Sequence, residues 1–154
     1  LLEKAQKNRL IQVGHGNNIV DILYIDNAVS AHLLACEALE GATNVAGKAY
    51  FISDGEPVVL WDWINQLLGQ MGRPNVSRQI SYKNAMRLGA FFEGVYGLIG
   101  IKRDPPMTRF LAAQLATSHY FDISRAKKDF DYQPLVSHEE GMRRLIRSLS
   151  HPAG

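Results

Sequence analysis

The sequence predicts a mixed α/β fold, and three observations carry the prediction. A helix-like stretch over residues 27–39 leads through a small polar run into residues 48–53 (Lys-Ala-Tyr-Phe-Ile-Ser), a continuous apolar segment of the kind buried on both faces of a parallel sheet. Nearer the start, strand-favouring residues flank a glycine- and asparagine-rich turn, Leu10-Ile11-Gln12-Val13 before it and Ile19-Val20-Asp21-Ile22 after it. Beyond residue 57 the apolar residues recur at helical spacing, so helices dominate there.

Each element is predicted from its own residues. Gly14-His15-Gly16-Asn17-Asn18 tolerates left-handed backbone angles, so the two flanking strands read as a hairpin. Asp26 offers a carboxylate as N-cap to the helix over residues 27–39, which Gly41 stops, and Ala31, Ala35 and Ala38 give that helix one slim face. The strand over 48–53 ends in the Asp54-Gly55-Glu56-Pro57 turn, where Asp54 and Glu56 serve the turn and the next helix dipole. Trp61, Ile64, Leu68 and Met71 are spaced for burial together on a helix that ends at Gly72-Arg73-Pro74. Gln79-Ile80-Ser81 reads as a short strand. Residues 85–101 form the most apolar segment, interrupted by Arg87 and Glu93, and Pro105-Pro106 separates it from a helix over 107–116. Residues 120–123 read as a strand, and Ser124 caps a small helix to Phe130. Ser137-His138-Glu139-Glu140 is a capping box ahead of the stripe Met142, Leu145, Ile146 and Leu149.

Composition narrows the function classes. The 154 residues, 46% hydrophobic and 21% charged, suffice for one compact domain with a core and are too few for two. Ordinary proline and glycine usage excludes disordered and fibrous classes, and no apolar run reaches the roughly 18 to 20 residues of a membrane-spanning helix. Seventeen Lys and Arg against fifteen Asp and Glu give a net charge of +2, spread along the chain, so no nucleic-acid partner is expected. A single cysteine, Cys36, fits a reducing compartment, with the cytoplasm as the expected location, and reads as a small helix-packing residue. The opening residues 1–8 lack a signal-peptide plan and read as the last turns of an amphipathic helix that begins upstream.

The chemistry-bearing motifs are sparse. Gly14-His15-Gly16-Asn17-Asn18-Ile19 supplies the first two glycines of a dinucleotide fingerprint and has Ile19 at the third, ahead of a β-branched run where a helix N-terminus is needed, so it reads as a turn. A Tyr-x-x-x-Lys pair would set a phenol beside an ammonium that lowers its pKa, and none of the six tyrosines has a lysine four residues on. The five histidines are scattered, so no metal site is expected.

The order of segments says more. Gly14-x-Gly16-Asn17-Asn18-Ile19-Val20-Asp21, then Ile25-Asp26-Asn27-Ala28 and His32-Leu33-Leu34-Ala35, then Gly47-Lys48-Ala49-Tyr50-Phe51-Ile52-Ser53-Asp54, resemble the C-terminal half of an extended short-chain dehydrogenase/reductase. Ala126-Lys127-Lys128 followed by Asp131-Tyr132-Gln133-Pro134-Leu135-Val136 and the capped Glu139-Glu140-Gly141 helix resemble how those chains end. Within the superfamily the chain is most similar to the 3β-hydroxysteroid dehydrogenase branch, in its sterol-4α-carboxylate 3-dehydrogenase and 2-alkyl-3-oxoalkanoate reductase types.

The resemblance implies the C-terminal portion of a Rossmann-like NAD(P)-binding fold with a small, mostly helical substrate-side subdomain. Residues 1–56 would end the Rossmann-like part and 57–154 form the substrate side, with the nucleotide-binding part and the Tyr-x-x-x-Lys pair lying before Leu1. It implies NAD or NADP in the complete enzyme, none bound by this chain by itself, and a chain inactive in isolation. Asp26 is a family position read here as a cap joining the two parts. Sugar-nucleotide epimerases of the superfamily commonly carry an arginine for the diphosphate where this chain has Val20, which favours an apolar substrate, a sterol or a long-chain 3-oxo or 3-hydroxy acid. The implied substrate-side residues are Val20, Ile22, Tyr96, Met107 and Phe110. Expected partners are that substrate, the missing Rossmann part, a second copy and, through residues 85–101, a membrane surface. The alternatives are a sugar-nucleotide epimerase or reductase of the same superfamily and a non-catalytic binding module.

Overall fold

The computed structural model describes residues 10–41 and 45–150. The expected helix over residues 1–8 lies outside them. The chain forms two compact units, each assembled from separated stretches: one from residues up to Ile19 with Val59–His119, the other from Val20–Val58 with residues from Tyr120 on.

In the first unit, strand β1 (Gln12–Val13) pairs in parallel with a strand reached much later in the chain, Gln79–Ile80, with Val13 opposite Ile80. The predicted hairpin is therefore corrected. Gly14 and Gly16 do turn the chain, at φ +75° and +84°, but β2 (Ile19–Val20) pairs with β3 (Val58–Val59) and not with β1. Parallel pairing needs a long crossover, which no two neighbouring strands supply. Helix α1 (Ile25–Glu40) belongs to the other unit, and α2 (Leu60–Gln70) belongs here. α2 buries Trp61, Ile64 and Leu68 together, as the spacing predicts, with Leu67 beside them, each contributing about 1.5–3 kcal/mol, whereas Met71 is the C-cap and only half-buried because the helix ends there. The Trp61 indole N–H donates to the Leu115 carbonyl at 3.1 Å, so its burial strands no donor. Strand β4 (Gln79–Ile80) is where the sequence places one.

Helix α3 (Tyr82–Ile99) begins where Ser81 Oγ accepts from the Asn84 amide and ends on Gly100 in the left-handed region, φ +70°. Helix α4 (Arg109–Ala116) is capped by Thr108, whose Oγ1 accepts from Leu111 N at 3.0 Å. Val13, Ala85 and Ala112 form the buried cluster between β1 and these helices, joined by Ile80, Met86, Met107, Leu115 and Ala116.

In the second unit, α1 starts at Ile25, ahead of the predicted start, with Tyr24 at the N-cap and no side-chain cap. Asp26 is thus corrected from cap to first-turn acid, and its carboxylate pairs with Arg144 at 3.0 Å. The alanine face holds: Ala31, with Leu34, Ala35 and Ala38, packs on Ile123, Ala126, Phe130 and Tyr132. Cys36 points the other way and is exposed, so it does not pack against the core.

Residues 48–53 are not a strand, since no described segment pairs with them. They are covered on one side only. Tyr50 and Ile52 pack inward, whereas Phe51 is 58% exposed and stacks on Phe121 at 4.1 Å between centroids. Residues 120–123 form no strand either: the Phe121 amide is used by the Asp21 carboxylate at 2.7 Å.

Helix α5 (Ser124–Phe130) has Ile123 at its N-cap with no side-chain cap, and Asp122 accepts from both the amide and hydroxyl of Ser124 at 2.8 Å, so Ser124 is a donor to Asp122 and not the cap. Helix α6 (His138–Ser150) shows half the expected capping box. Ser137 Oγ accepts from Glu140 N at 3.3 Å, but the Glu140 carboxylate turns to Arg143 and Arg144, both at 2.7 Å.

Candidate functional site

The first unit presents a two-helix platform. At Gly89 of α3 an added Cβ would stand 2.6 Å from Arg109 N and 2.7 Å from Thr108 C, so only a glycine lets the start of α4 come this close. One turn on, Glu93 locks the approach: Oε1 accepts from Arg109 N at 2.8 Å and Oε2 from Arg109 Nε at 2.7 Å. The Arg109 backbone N–H first, then its guanidinium, hold the Glu93 carboxyl below the usual glutamate range.

Three of the predicted substrate-side residues lie on this platform. Met107, in the connection, is half-buried against the Val13 cluster; Tyr96 is half-buried on α3; Phe110 is 73% exposed on α4. The other two lie in the second unit, Val20 buried in β2 and Ile22 half-buried after it. The Ile22 carbonyl accepts from Asp54 N at 2.9 Å.

Asp54 is not the turn acid expected from sequence. It is buried, and its carboxylate accepts from the Tyr24 amide at 3.0 and 3.1 Å and from Asn27 Nδ2 at 2.7 Å. Asn27, fully buried, donates also to the Val136 carbonyl and accepts from the amides of Leu135 and Val136 at 2.8 and 2.9 Å. Sequence reasoning missed Asn27, although a signal was there: it continues the Ala31, Ala35 and Ala38 face by one turn, so its amide must point into the core.

Two tyrosines of the second unit are held the wrong way for proton transfer. Tyr50 donates to Asp129 at 2.7 Å; burial, then that bond, raise its phenol above the ordinary tyrosine value. Burial and the nearby Asp54 carboxylate push Tyr132 up to about 12, and its hydroxyl donates to the Ser53 carbonyl at 2.9 Å. A tyrosine acting as acid or base near neutral pH needs the opposite shift. The Asp129 carboxyl is held below its usual range by Tyr50 and then Lys48, an arrangement that ties residues 48–50 to α5.

A cleft of about 250 Å³ in the first unit is lined by Leu10, Leu68, Pro74, Asn75, Val76, Ser77 and Arg78, and includes none of the five predicted residues. The glycine turn over residues 14–16 is packed within the chain. A Cβ on Gly14 would meet Ala116 at 3.3 Å and one on Gly16 would meet Gln12 at 2.5 Å, so the chain's own side chains fill the turn. The turn leads into β2 and not into a helix N-terminus.

Comparison with known proteins fits this picture. Residues 1–82 match the model of the 3-beta hydroxysteroid dehydrogenase/isomerase family. The chain is 51% identical over 148 residues, 96% of its length, to 45% of the 2-alkyl-3-oxoalkanoate reductase of Stenotrophomonas maltophilia (strain K279a). It is 30% identical over 154 residues to 42% of the decarboxylating sterol-4-alpha-carboxylate 3-dehydrogenase of Mus musculus, and so spans less than half of each relative. The solved UDP-glucuronic acid 4-epimerase from Bacillus cereus in complex with NAD shares the fold, at 21% identity and a TM-score of 0.57, over 97% of this chain and 38% of that one. The order of segments, the α/β architecture and the matched residues agree, and the chain belongs to the 3-beta hydroxysteroid dehydrogenase/isomerase family.

Proposed function

We propose that this chain is the C-terminal, substrate-side part of an NAD(P)-dependent oxidoreductase that acts on the 3-oxo or 3-hydroxy group of a long-chain oxo acid, with a sterol as the other apolar substrate class. The observation that carries the reading is the 51% identity to a 2-alkyl-3-oxoalkanoate reductase along nearly the whole chain. In this reading residues 1–56 end the cofactor-side part and 57–154 the substrate side, and Val20, Ile22, Tyr96, Met107 and Phe110 face the substrate. Their chemistry supports an apolar ligand: none carries a charge, and a buried valine at position 20 offers no donor to a diphosphate. In this reading the cofactor and the tyrosine–lysine pair come from outside these residues: no tyrosine here has a lysine four residues on, Tyr50 and Tyr132 are held as poor acids, and the glycine turn is filled. The chain in isolation is then inactive.

The test is a graft. This chain replaces its matching segment in the Stenotrophomonas maltophilia reductase, and reduction of a 2-alkyl-3-oxoalkanoate is followed by loss of reduced nicotinamide absorbance. The graft is expected to keep its parent's kcat/KM within about tenfold, a change of about 1.4 kcal/mol, while the 154-residue chain shows no turnover. A folded graft without activity, or turnover by the chain in isolation, overturns the reading.

A further inference from the structure

The cleft of the first unit is held open by hydrogen bonds on either side of it. One wall is the segment over residues 73–78. Its Arg73 amide donates to the Leu68 carbonyl at 2.8 Å, its Val76 amide donates to Asn65 Oδ1 at 2.9 Å, and its Arg78 carbonyl accepts from the Gln12 amide at 2.8 Å. The segment is therefore fastened to α2 at one end and to β1 at the other, so the space of about 250 Å³ is preformed. Its floor is aliphatic, made by buried Leu68 with half-buried Leu10 and Val76, and no aromatic ring lines it to stack on a flat ligand.

The rim of the cleft is polar and positive. Asn75, Ser77 and Arg78 line it and are exposed, each with a side-chain donor, and no acid lines it. Arg78 is in no ion pair among the described residues. The surroundings have the same sign: residues 59–119 carry seven lysines and arginines against three acids, of which Glu93 is engaged by Arg109. A single guanidinium presents one planar fork of donors, the match for the two oxygens of one carboxylate. An aliphatic floor beside that fork calls for an anion with an alkyl chain, and a volume below the roughly 300–1,000 Å³ of drug-sized pockets calls for a short one.

We propose that this cleft binds a medium-chain alkanoate, with the alkyl chain on Leu10, Leu68 and Val76 and the carboxylate on Arg78 beside Ser77. The cleft includes none of Val20, Ile22, Tyr96, Met107 and Phe110, so the proposal goes beyond the catalytic reading and does not rest on it.

The chain carries its own reporter for the test. Both of its tryptophans, Trp61 and Trp63, pack in the cluster that contains Leu10, Leu68 and Val76, so their fluorescence responds to a ligand on the floor of the cleft. The experiment is a titration of the chain with octanoate, against octanol and octylammonium, read by tryptophan fluorescence and by the amide shifts of residues 74–78 in a nitrogen–proton correlation spectrum. Octanoate is expected to give a saturable change in both signals, and the two comparators to bind about tenfold more weakly or worse. Arg78→Gln keeps the backbone carbonyl that Gln12 uses and is expected to weaken octanoate by about tenfold while leaving octanol unchanged. Ser77→Glu, at an exposed rim position, sets a carboxylate where the ligand's would lie and weakens octanoate at least as much. Arg103→Gln removes an exposed cation outside the cleft and leaves octanoate binding unchanged. No saturable response to octanoate overturns the proposal, as does unchanged affinity in Arg78→Gln and Ser77→Glu. Octanol binding as tightly as octanoate overturns it because the site is then merely apolar. Equal loss on Arg103→Gln, or amide shifts confined to the second unit, overturns it because the cleft is then not where the anion sits.

Discussion

Four hydrogen bonds converge on the Asn27 carboxamide, two donated to Asp54 and the Val136 carbonyl and two accepted from the amides of Leu135 and Val136. This exhausts the two donors and two principal acceptor sites of the side chain, so one buried residue ties α1 both to the Asp54 turn and to the segment that leads into α6. Asn27→Ala leaves two amides, a carbonyl and a carboxylate oxygen short of partners in a buried place. It is expected to cost about 2–4 kcal/mol in urea denaturation. Asn27→Asp is expected to cost at least as much, because it sets a second carboxylate against Asp54. A loss below about 1 kcal/mol for Asn27→Ala would show that water replaces the amide there. At this scale the sequence is least legible. Local turn chemistry suggests roles for Asp26, Asp54 and Ser124, and in the structure Asp26 and Asp54 answer to partners 118 and 27–30 residues away in sequence. Ser124 differs in the complementary way: the short-range bond exists, with donor and acceptor exchanged.

At the scale of elements, helical periodicity is legible and strand pairing is not, for one reason. A helix satisfies its own backbone, so α2, α4 and α6 can be read from spacing and caps within a single window. A strand needs a partner the window does not contain. Residues 10–13 and 79–81 are each strand-like in sequence, but their mutual parallel pairing joins positions 67 apart, whereas residues 48–53 and 120–123 have strand composition and no described partner. Glycines in α3 separate local propensity from packing most sharply. At Gly89 a Cβ would press on the Thr108–Arg109 backbone, which has no side-chain torsion to yield, so Gly89→Ala is expected to destabilise by about 1–3 kcal/mol. At Gly97 nothing stands within 4 Å, so Gly97→Ala gains only helix propensity and is expected to stabilise by about 0.5–1 kcal/mol. Thermal melts of the two variants test this as a pair. Shifts of the same sign would show that the close approach of α3 and α4 is not what requires glycine at position 89.

For the molecule as a whole, the feature to explain is how much apolar surface both units leave in water. On α1, Ile25, Val29 and Leu33 repeat every four residues and are each more than half exposed, opposite the alanine face that packs inward. Nearby in sequence, Phe51 is 58% exposed in a segment whose amides from residue 49 to 53 have no backbone partner among the described residues. Scattered exposed hydrophobics need no account, but a continuous stripe on one helix face, in the same unit as backbone amides that lack a partner among the described residues, is the signature of a surface built to be covered. Two covers are available in solution, water with its full hydration cost or another molecule of the chain, and the apolar term favours the second as concentration rises. The 154-residue chain is therefore expected to self-associate in a concentration-dependent way in sedimentation velocity, and to bind an apolar dye while remaining helical by circular dichroism. Leu33→Glu together with Phe51→Lys puts charge on both parts of the surface without touching a buried side chain, so it should shift the chain toward monomer and lower dye binding with little change in melting temperature. A chain that stays monomeric at every concentration, with dye binding unchanged in the double variant, would place the sticky surface elsewhere and remove the basis for reading α1 and residues 48–53 as covered surfaces.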